Sequence, residues 1–210
     1  MTHGKNTALI VVDVQNDFCP GGALAVKNGN RVVSVINSLV DSFEITIGTQ
    51  DWHPVNHGSF ASSNEGTEPF SVQTLNGIEQ VMWPDHCIQG THGADFHPDL
   101  HADAFHVVIR KGANPDIDSY SAFTENDGVT VTGLKGCLKE LGVTKVYVTG
   151  LATDFCVMYT ALDAVKAGFE TYVIEDACKG VDFPEGNVVK ALSAMKEAGV
   201  RIVQSADVRL

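Results

Sequence analysis

Thr7-Ala8-Leu9-Ile10-Val11-Val12 runs apolar from its second residue to its last, without alternation, and stops at Asp13. An alternating strand hides one face. A run with no alternation hides both, the mark of a central strand in a parallel sheet covered by helices on each side. Outward from this segment, Asn30–Ser42 sets Val32, Val33, Ile36, Leu39 and Val40 on a helical stripe. Strands are predicted at Glu44–Gly48, Ala104–Ile109, Lys145–Thr149, Glu170–Ile174 and Arg201–Val203. Between them lie a weakly helical Val131–Leu141 and two helices, Asp154–Ala167 and Glu185–Ala198, stopped by Gly168 and Gly199. Strand and helix alternate, so the fold class is α/β: one domain over residues 1–210, with a mainly parallel, doubly wound sheet and helices on both faces. The exception is a loop insertion over about 51–103, rich in Gly, Ser, His, Pro and Asn. A loop of that length inside a domain usually carries function.

Bulk properties narrow the partners. The 210 residues suffice for one well-packed domain and are few for two. With 14 basic residues against 26 acidic ones, a net charge of -12 argues against nucleic acid, which demands clustered Lys and Arg. No stretch approaches the roughly 18 apolar residues of a membrane span. The run after the N-terminal Met-Thr-His-Gly-Lys is too short and too soon charged for a signal peptide, so the cytoplasm is expected. Five cysteines, none spaced as CxxC, point to free thiols in a reducing compartment. Self-association into a homo-oligomer stays open.

Ligands of open α/β sheets bind beyond the carboxyl ends of the strands. Asp13 follows the first predicted strand, Asp51 and His53 the second, Arg110 and Lys111 the third, and Thr153, Asp154 and Cys156 the fourth. An acid, metal-type ligands, a base and a thiol are thus delivered to one edge. In Gly150-Leu-Ala-Thr-Asp-Phe-Cys156, Gly150 allows a sharp turn and Thr153 or Asp154 can cap the next helix. Cys156 then sits in its first turn, where the dipole favours a thiolate and the N–H groups suit an oxyanion. An arbitrary Cys is more often buried packing; Cys137 and Cys178 are read that way, and Cys19 and Cys87 as unreactive lining. Asp13, followed by Val14, suits a general base of raised pKa, and Asp17 a loop anchor. Lys111 is a solvated lysine unless it, rather than Arg110, points inward to balance Asp13 and Cys156.

Asp51 and His53, two apart in an extended segment, face the same way, and His86 can supply a third ligand. Two His and a carboxylate suit Zn, Fe(II) or Mn. D-x-H alone is a weak signal. His57, Ser59 and Asp85 are secondary candidates; His92, His97, His101 and His106 read as surface or packing. Phe18, Trp83 and Tyr120 lie in loops near these motifs and can form a slot for a flat ring, although an aromatic is more often core.

The segments D-V-Q-N-D-F-C-P-G-G-A-L, T-Q-D-W-H-P-V-N-H-G-S-F, W-P-D-H-C-I-Q-G-T, R-K-G and G-L-A-T-D-F-C-V together resemble nicotinamidases, within the isochorismatase-like cysteine hydrolases. The similarity runs from Thr7 to about Gly180, with no departure at the key positions. It implies a catalytic triad of Cys156, Asp13 and Lys111 and a divalent metal, zinc first, on Asp51, His53 and His86. It leaves the role of His57 open. It also implies a non-proline cis peptide before Ala152, and an oxyanion hole from the N–H groups of Ala152 and Cys156. The implied reaction converts nicotinamide and water to nicotinate and ammonia, extends to pyrazinamide and belongs to NAD salvage. Rival readings are a carbamoyl amidohydrolase with the same triad, a non-catalytic metal-binding protein and a thiol redox protein.

Overall fold

In the computed structural model, which describes residues 3–208, β1 (His3–Val12) is fully buried from Ala8 to Val12. Leu9 and Val11 pack on one side with Val32, Val33, Ile36, Leu39 and Val40 of α1 (Arg31–Val40). Ala8, Ile10 and Val12 pack on the other, against α2 (Leu134–Glu140), α3 (Met158–Lys166) and α4 (Asn187–Glu197) through Leu134, Leu138, Ala161, Ala164 and Met195. Two cores, one per face, explain the missing alternation. Each large aliphatic side chain so buried is worth about 1.5–3 kcal/mol.

The other strands of the main sheet are β2 (Phe43–Asp51), β5 (Val107–Lys111), β6 (Lys145–Leu151), β7 (Glu170–Lys179) and β8 (Arg201–Val203). Six parallel strands stand in the order β5-β2-β1-β6-β7-β8. The chain steps outward from β1 through β2 to β5, then returns to the far side of β1 as β6. Connections therefore diverge between β1 and β6, and a crevice opens beyond their carboxyl ends.

Several boundaries differ from expectation. The strand expected at Ala104–Ile109 begins at Val107 and runs to Lys111, because Ala102–Ala104 closes a 3-10 turn. The helix expected from Asp154 begins as a π-helical turn, Thr153–Val157, before α3. Neither Thr153 nor Asp154 caps it: the Ala152 carbonyl accepts the N–H groups of Phe155 and Val157 instead. Gly150 turns no corner. It lies inside β6 at φ 109°, where a Cβ would come within 2.0 Å of the Val12 carbonyl oxygen. A short α5 (Ser205–Val208) follows β8 unannounced.

The 51–103 insertion is not all loop. β3 (Val72–Leu75) and β4 (Ile78–Val81) form an antiparallel hairpin, with Leu75 opposite Ile78. Asn76 and Gly77, at φ 49° and 82°, make its two-residue turn. Asn-Gly between alternating residues is a hairpin signal; it was masked because Val72, Gln73 and Thr74 are exposed and the segment reads as polar. No described helix is long and apolar enough to cross a membrane. All five cysteines are free thiols.

Candidate active site and metal centre

Asp13 leaves β1 in a left-handed conformation, φ 46°, which turns its carboxylate back over the strand ends. The Thr49 hydroxyl donates to Asp13 Oδ1 at 2.6 Å and accepts the Asp13 N–H at 3.2 Å. This leaves Oδ2 facing Lys111 Nζ at 2.9 Å. Lys111, the last residue of β5, is buried, whereas Arg110 turns outward and lays its guanidinium 3.8 Å over the Trp52 ring. Lys111 Nζ also contacts Asp51 Oδ1, donates to the Ser119 carbonyl at 2.9 Å and reaches Cys156 Sγ at 3.4 Å. Asp13, Asp51 and Cys156 offer atoms within 4.8 Å of one another around this single ammonium.

Burial would strip Lys111 of its proton, but the carboxylates of Asp13 and Asp51 outweigh it and hold the ammonium well above the usual lysine range. Burial pushes the Asp13 carboxyl up, an effect that Lys111 only partly offsets. Burial acts on Asp51 in the same sense, yet the Lys111 ammonium, with His53 and His86 close by, holds it well below the carboxylate range. One member of the buried pair is thus a firm anion and the other is poised to take a proton. Cys156 departs from expectation. Burial and the two carboxylates push its thiol well above the usual range, against the pull of Lys111, so the helix-start position does not give a standing thiolate. The proton has a receiver close by in Asp13, whose carboxylate and the Cys156 sulfur lie within 4.8 Å of each other. The Leu151–Ala152 peptide that precedes this turn is cis.

Beside the triad, His53 Nε2 and His86 Nε2 lie 3.7 and 3.8 Å from Asp51 Oδ2. Each imidazole uses its other nitrogen on a backbone carbonyl: His53 Nδ1 on Gly112 at 2.9 Å, His86 Nδ1 on Pro84 at 2.8 Å. That fixes the tautomer and turns both Nε2 lone pairs toward one carboxylate oxygen, the arrangement that orients metal-bound histidines. His53 Nε2 is buried with no hydrogen-bond partner. An orphaned buried nitrogen beside a second imidazole and a carboxylate fits a divalent cation, zinc among them. His57 and Asp118 join His53 in an adjoining group of ligand atoms within 4.8 Å, and the Ser59 hydroxyl is 2.8 Å from His57 Nδ1. Asp85 stands apart, half-buried and bonded to Ser62.

A cavity opens onto Cys156 and Ala152. Phe18, Trp83 and Tyr120 all line it, joined by Phe155, and Asp51, His86 and Asp118 supply its polar side. Phe155 meets Trp83 edge-on at 4.9 Å. Tyr120 is fixed by its hydroxyl, which accepts from Gln80 Nε2 at 2.9 Å and Trp83 Nε1 at 3.2 Å. Cys19 and Cys87 do not line this cavity; they pack in the α1-side core. Asp17 anchors their loops, accepting the N–H groups of Ala23 and Cys87.

Sequence reading passed over Thr49, Gln15, Asp118 and Phe155. Thr49 and Gln15 sit within two residues of strand-end carboxylates, and that position was their signal. Phe155 adjoins Cys156 in the quoted motif. Asp118 lies in an irregular segment with no periodicity to place it.

The Isochorismatase domain family model matches residues 7–207. The nicotinamidase of Acinetobacter baylyi is 50% identical over 99% of this chain and 97% of its own length. That of Escherichia coli is 46% identical over 95% of each. Among solved structures, a nicotinamidase/pyrazinamidase of Acinetobacter baumanii superposes with a TM-score of 0.96 at 54% identity, covering 98% of this chain and 99% of its own. A protein of L. infantum in complex with nicotinate gives a TM-score of 0.85 at 40% identity, with coverage of 98% and 96%. The pyrazinamidase of Pyrococcus horikoshii in complex with zinc gives 0.77 at 41% identity, with coverage of 95% and 99%.

Proposed function

The chain belongs to the isochorismatase family, and from that premise we propose that its cleft hydrolyses nicotinamide to nicotinate and ammonia, and pyrazinamide likewise, through a thioester on Cys156. The observation that carries the reading is the single buried ammonium of Lys111, in reach of Asp13, Asp51 and Cys156 at once. The substrate is supported by relatives named nicotinamidase over nearly the whole chain and by a neighbour holding nicotinate.

Asp13 Oδ2 takes the thiol proton, and Sγ attacks the carboxamide carbon. Moving the proton within a buried, charge-balanced cluster avoids a free thiolate that this burial disfavours. Negative charge on the carboxamide oxygen falls to the N–H groups of Ala152 and Cys156. Asp13 returns the proton to nitrogen, ammonia leaves and the thioester remains. Asp13 then accepts a proton from water as it attacks the acyl carbon, and the thiol is restored as nicotinate departs. Lys111 keeps Asp13 and Asp51 in place and balances their charge throughout. Phe18, Trp83, Tyr120 and Phe155 hold the flat ring.

Asp51, His53 and His86 would hold the divalent ion, which we take as zinc, with iron or manganese suited to the same donors. Bound there, it supplies an electrophilic anchor for the ring nitrogen. The five free thiols suit a reducing compartment, and we place the enzyme in the cytoplasm, with the small amide as its partner.

Ammonia release is the direct test, with metal loaded and thiols reduced. We expect turnover of nicotinamide and pyrazinamide by the wild type. Cys156→Ala should cost on the order of 10⁴-fold or more in kcat while still binding nicotinamide. No release from the wild type would overturn the assignment, and near-normal turnover by Cys156→Ala would remove the thioester.

A further inference from the structure

Asp154 is buried two residues before Cys156, it is in none of the ion pairs among the described residues, and the chemistry above does not use it. Its carboxylate is instead filled by one neighbouring segment. Oδ1 accepts the Val181 N–H at 2.9 Å; Oδ2 accepts the Asp182 N–H at 2.9 Å and Asn187 Nδ2 at 3.2 Å. The segment is pressed close: a Cβ on Gly180 would meet Asp154 Oδ1 at 2.9 Å and Val188 Cγ2 at 2.2 Å. Its far side is tied by aromatic contact. The Phe183 ring lies 5.0 Å from Phe70, which meets Trp83 edge-on at 5.9 Å. Phe70 itself is fixed at the foot of the β3–β4 hairpin, its N–H donating to the Met82 carbonyl at 2.6 Å. Val181, whose N–H is held by Asp154, also lines the cavity that holds Cys156.

A strap tied on both flanks to the nucleophile's own turn, through Val181, Asp182 and Asn187, and in between to the aromatic wall through Phe183, cannot shift without changing the cavity that Val181 lines. We propose that the strap 180–186 sets how large a ring substituent the site accepts, with Val181 as the specificity-determining contact and Asp154 as the positioning residue that registers it against Cys156. The proposal rests on the amidohydrolase reading. The chemical class it concerns is aromatic carboxamides carrying a small alkyl group on the ring. A branched aliphatic wall excludes such a group sterically, and one methylene in an apolar pocket is worth roughly 10–200-fold in discrimination.

The test compares kcat/KM for nicotinamide with that for nicotinamides methylated singly at each open ring carbon. Taking the ratio cancels any loss of folded enzyme. Val181→Ala should raise the relative kcat/KM of at least one methylated amide by about tenfold or more, and Val181→Phe should lower it. Asp154→Asn puts an N–H₂ where an oxygen accepts a backbone N–H. It should raise KM for nicotinamide and shrink the methyl discrimination, with kcat less affected. Phe183→Ala, at an exposed position, should move the ratio in the same direction from the other tether. An unchanged methyl profile in both Val181 variants overturns the proposal while nicotinamide turnover stands. Discrimination that survives both Asp154→Asn and Phe183→Ala removes the positioning role. A wild type that turns over no nicotinamide refutes the underlying reading instead.

Discussion

Lys111 is the residue on which the buried charges depend. Asp51, held below its ordinary 3.8, gives stability that is present above that pH and lost as pH falls through its lowered value. Lys111, raised above 10.5, gives stability present below that pH and lost only as pH rises through its higher value. At pH 7 both contributions are complete. Lys111→Met, which strands two carboxylates, should therefore cost about 3–5 kcal/mol, measured by urea unfolding at pH 7. Asp13 predicts the kinetics. As the base it must be unprotonated, and burial raises it above 3.8. The acid limb of kcat/KM should therefore fall at a pH above the ordinary aspartate value, and a limb at or below that value would exclude Asp13 as the base. These residues were legible from sequence because each ends an apolar strand. Their charge states were not, since burial and mutual distance decide them; Cys156 is the case in point, a thiol where its position in the chain suggested a thiolate.

At the scale of elements, the ends of β1 and β2 are fastened by a side chain whose one sequence signal is its place two residues after Asp13. Gln15 accepts the Asp51 N–H at 2.9 Å and donates to the Asp51 carbonyl at 2.9 Å and the Ala94 carbonyl at 2.8 Å. It thereby fixes the backbone of the carboxylate shared by Lys111 and the metal centre, and secures the insertion to the sheet. Gln15→Leu leaves those buried groups unpaired and should destabilise by roughly 1–3 kcal/mol. For a chain of this size that lowers Tm by about 2–4 °C per kcal/mol, measurable by calorimetry. Strands and helices of the sheet could be read because their apolar periods are strong. The insertion could not, because isolated bridges such as His53 with Ile88 and Phe60 with Trp83 order it. Bridges between distant residues leave no period behind.

Across the whole molecule, the metal centre and the triad meet in one carboxylate, Asp51 Oδ2 facing the histidines and Oδ1 facing Lys111. Removal of metal by chelation should abolish nicotinamide turnover and restoration of zinc should recover it; full activity in metal-free protein would contradict the anchoring role. The central place of β1 has a further consequence, in the order of synthesis. Thr7 is made well before its partner Lys145, and Cys156 comes later still. A nascent chain therefore carries its most apolar strand, with one edge open, for much of translation, a state prone to association with other chains. Asp13 meets its thiol only when the crossover from β5 sets β6 beside β1. No truncated product that stops short of the Cys156 turn after β6 contains a reactive centre, so hydrolytic competence waits on a strand made more than a hundred residues after the one it pairs with.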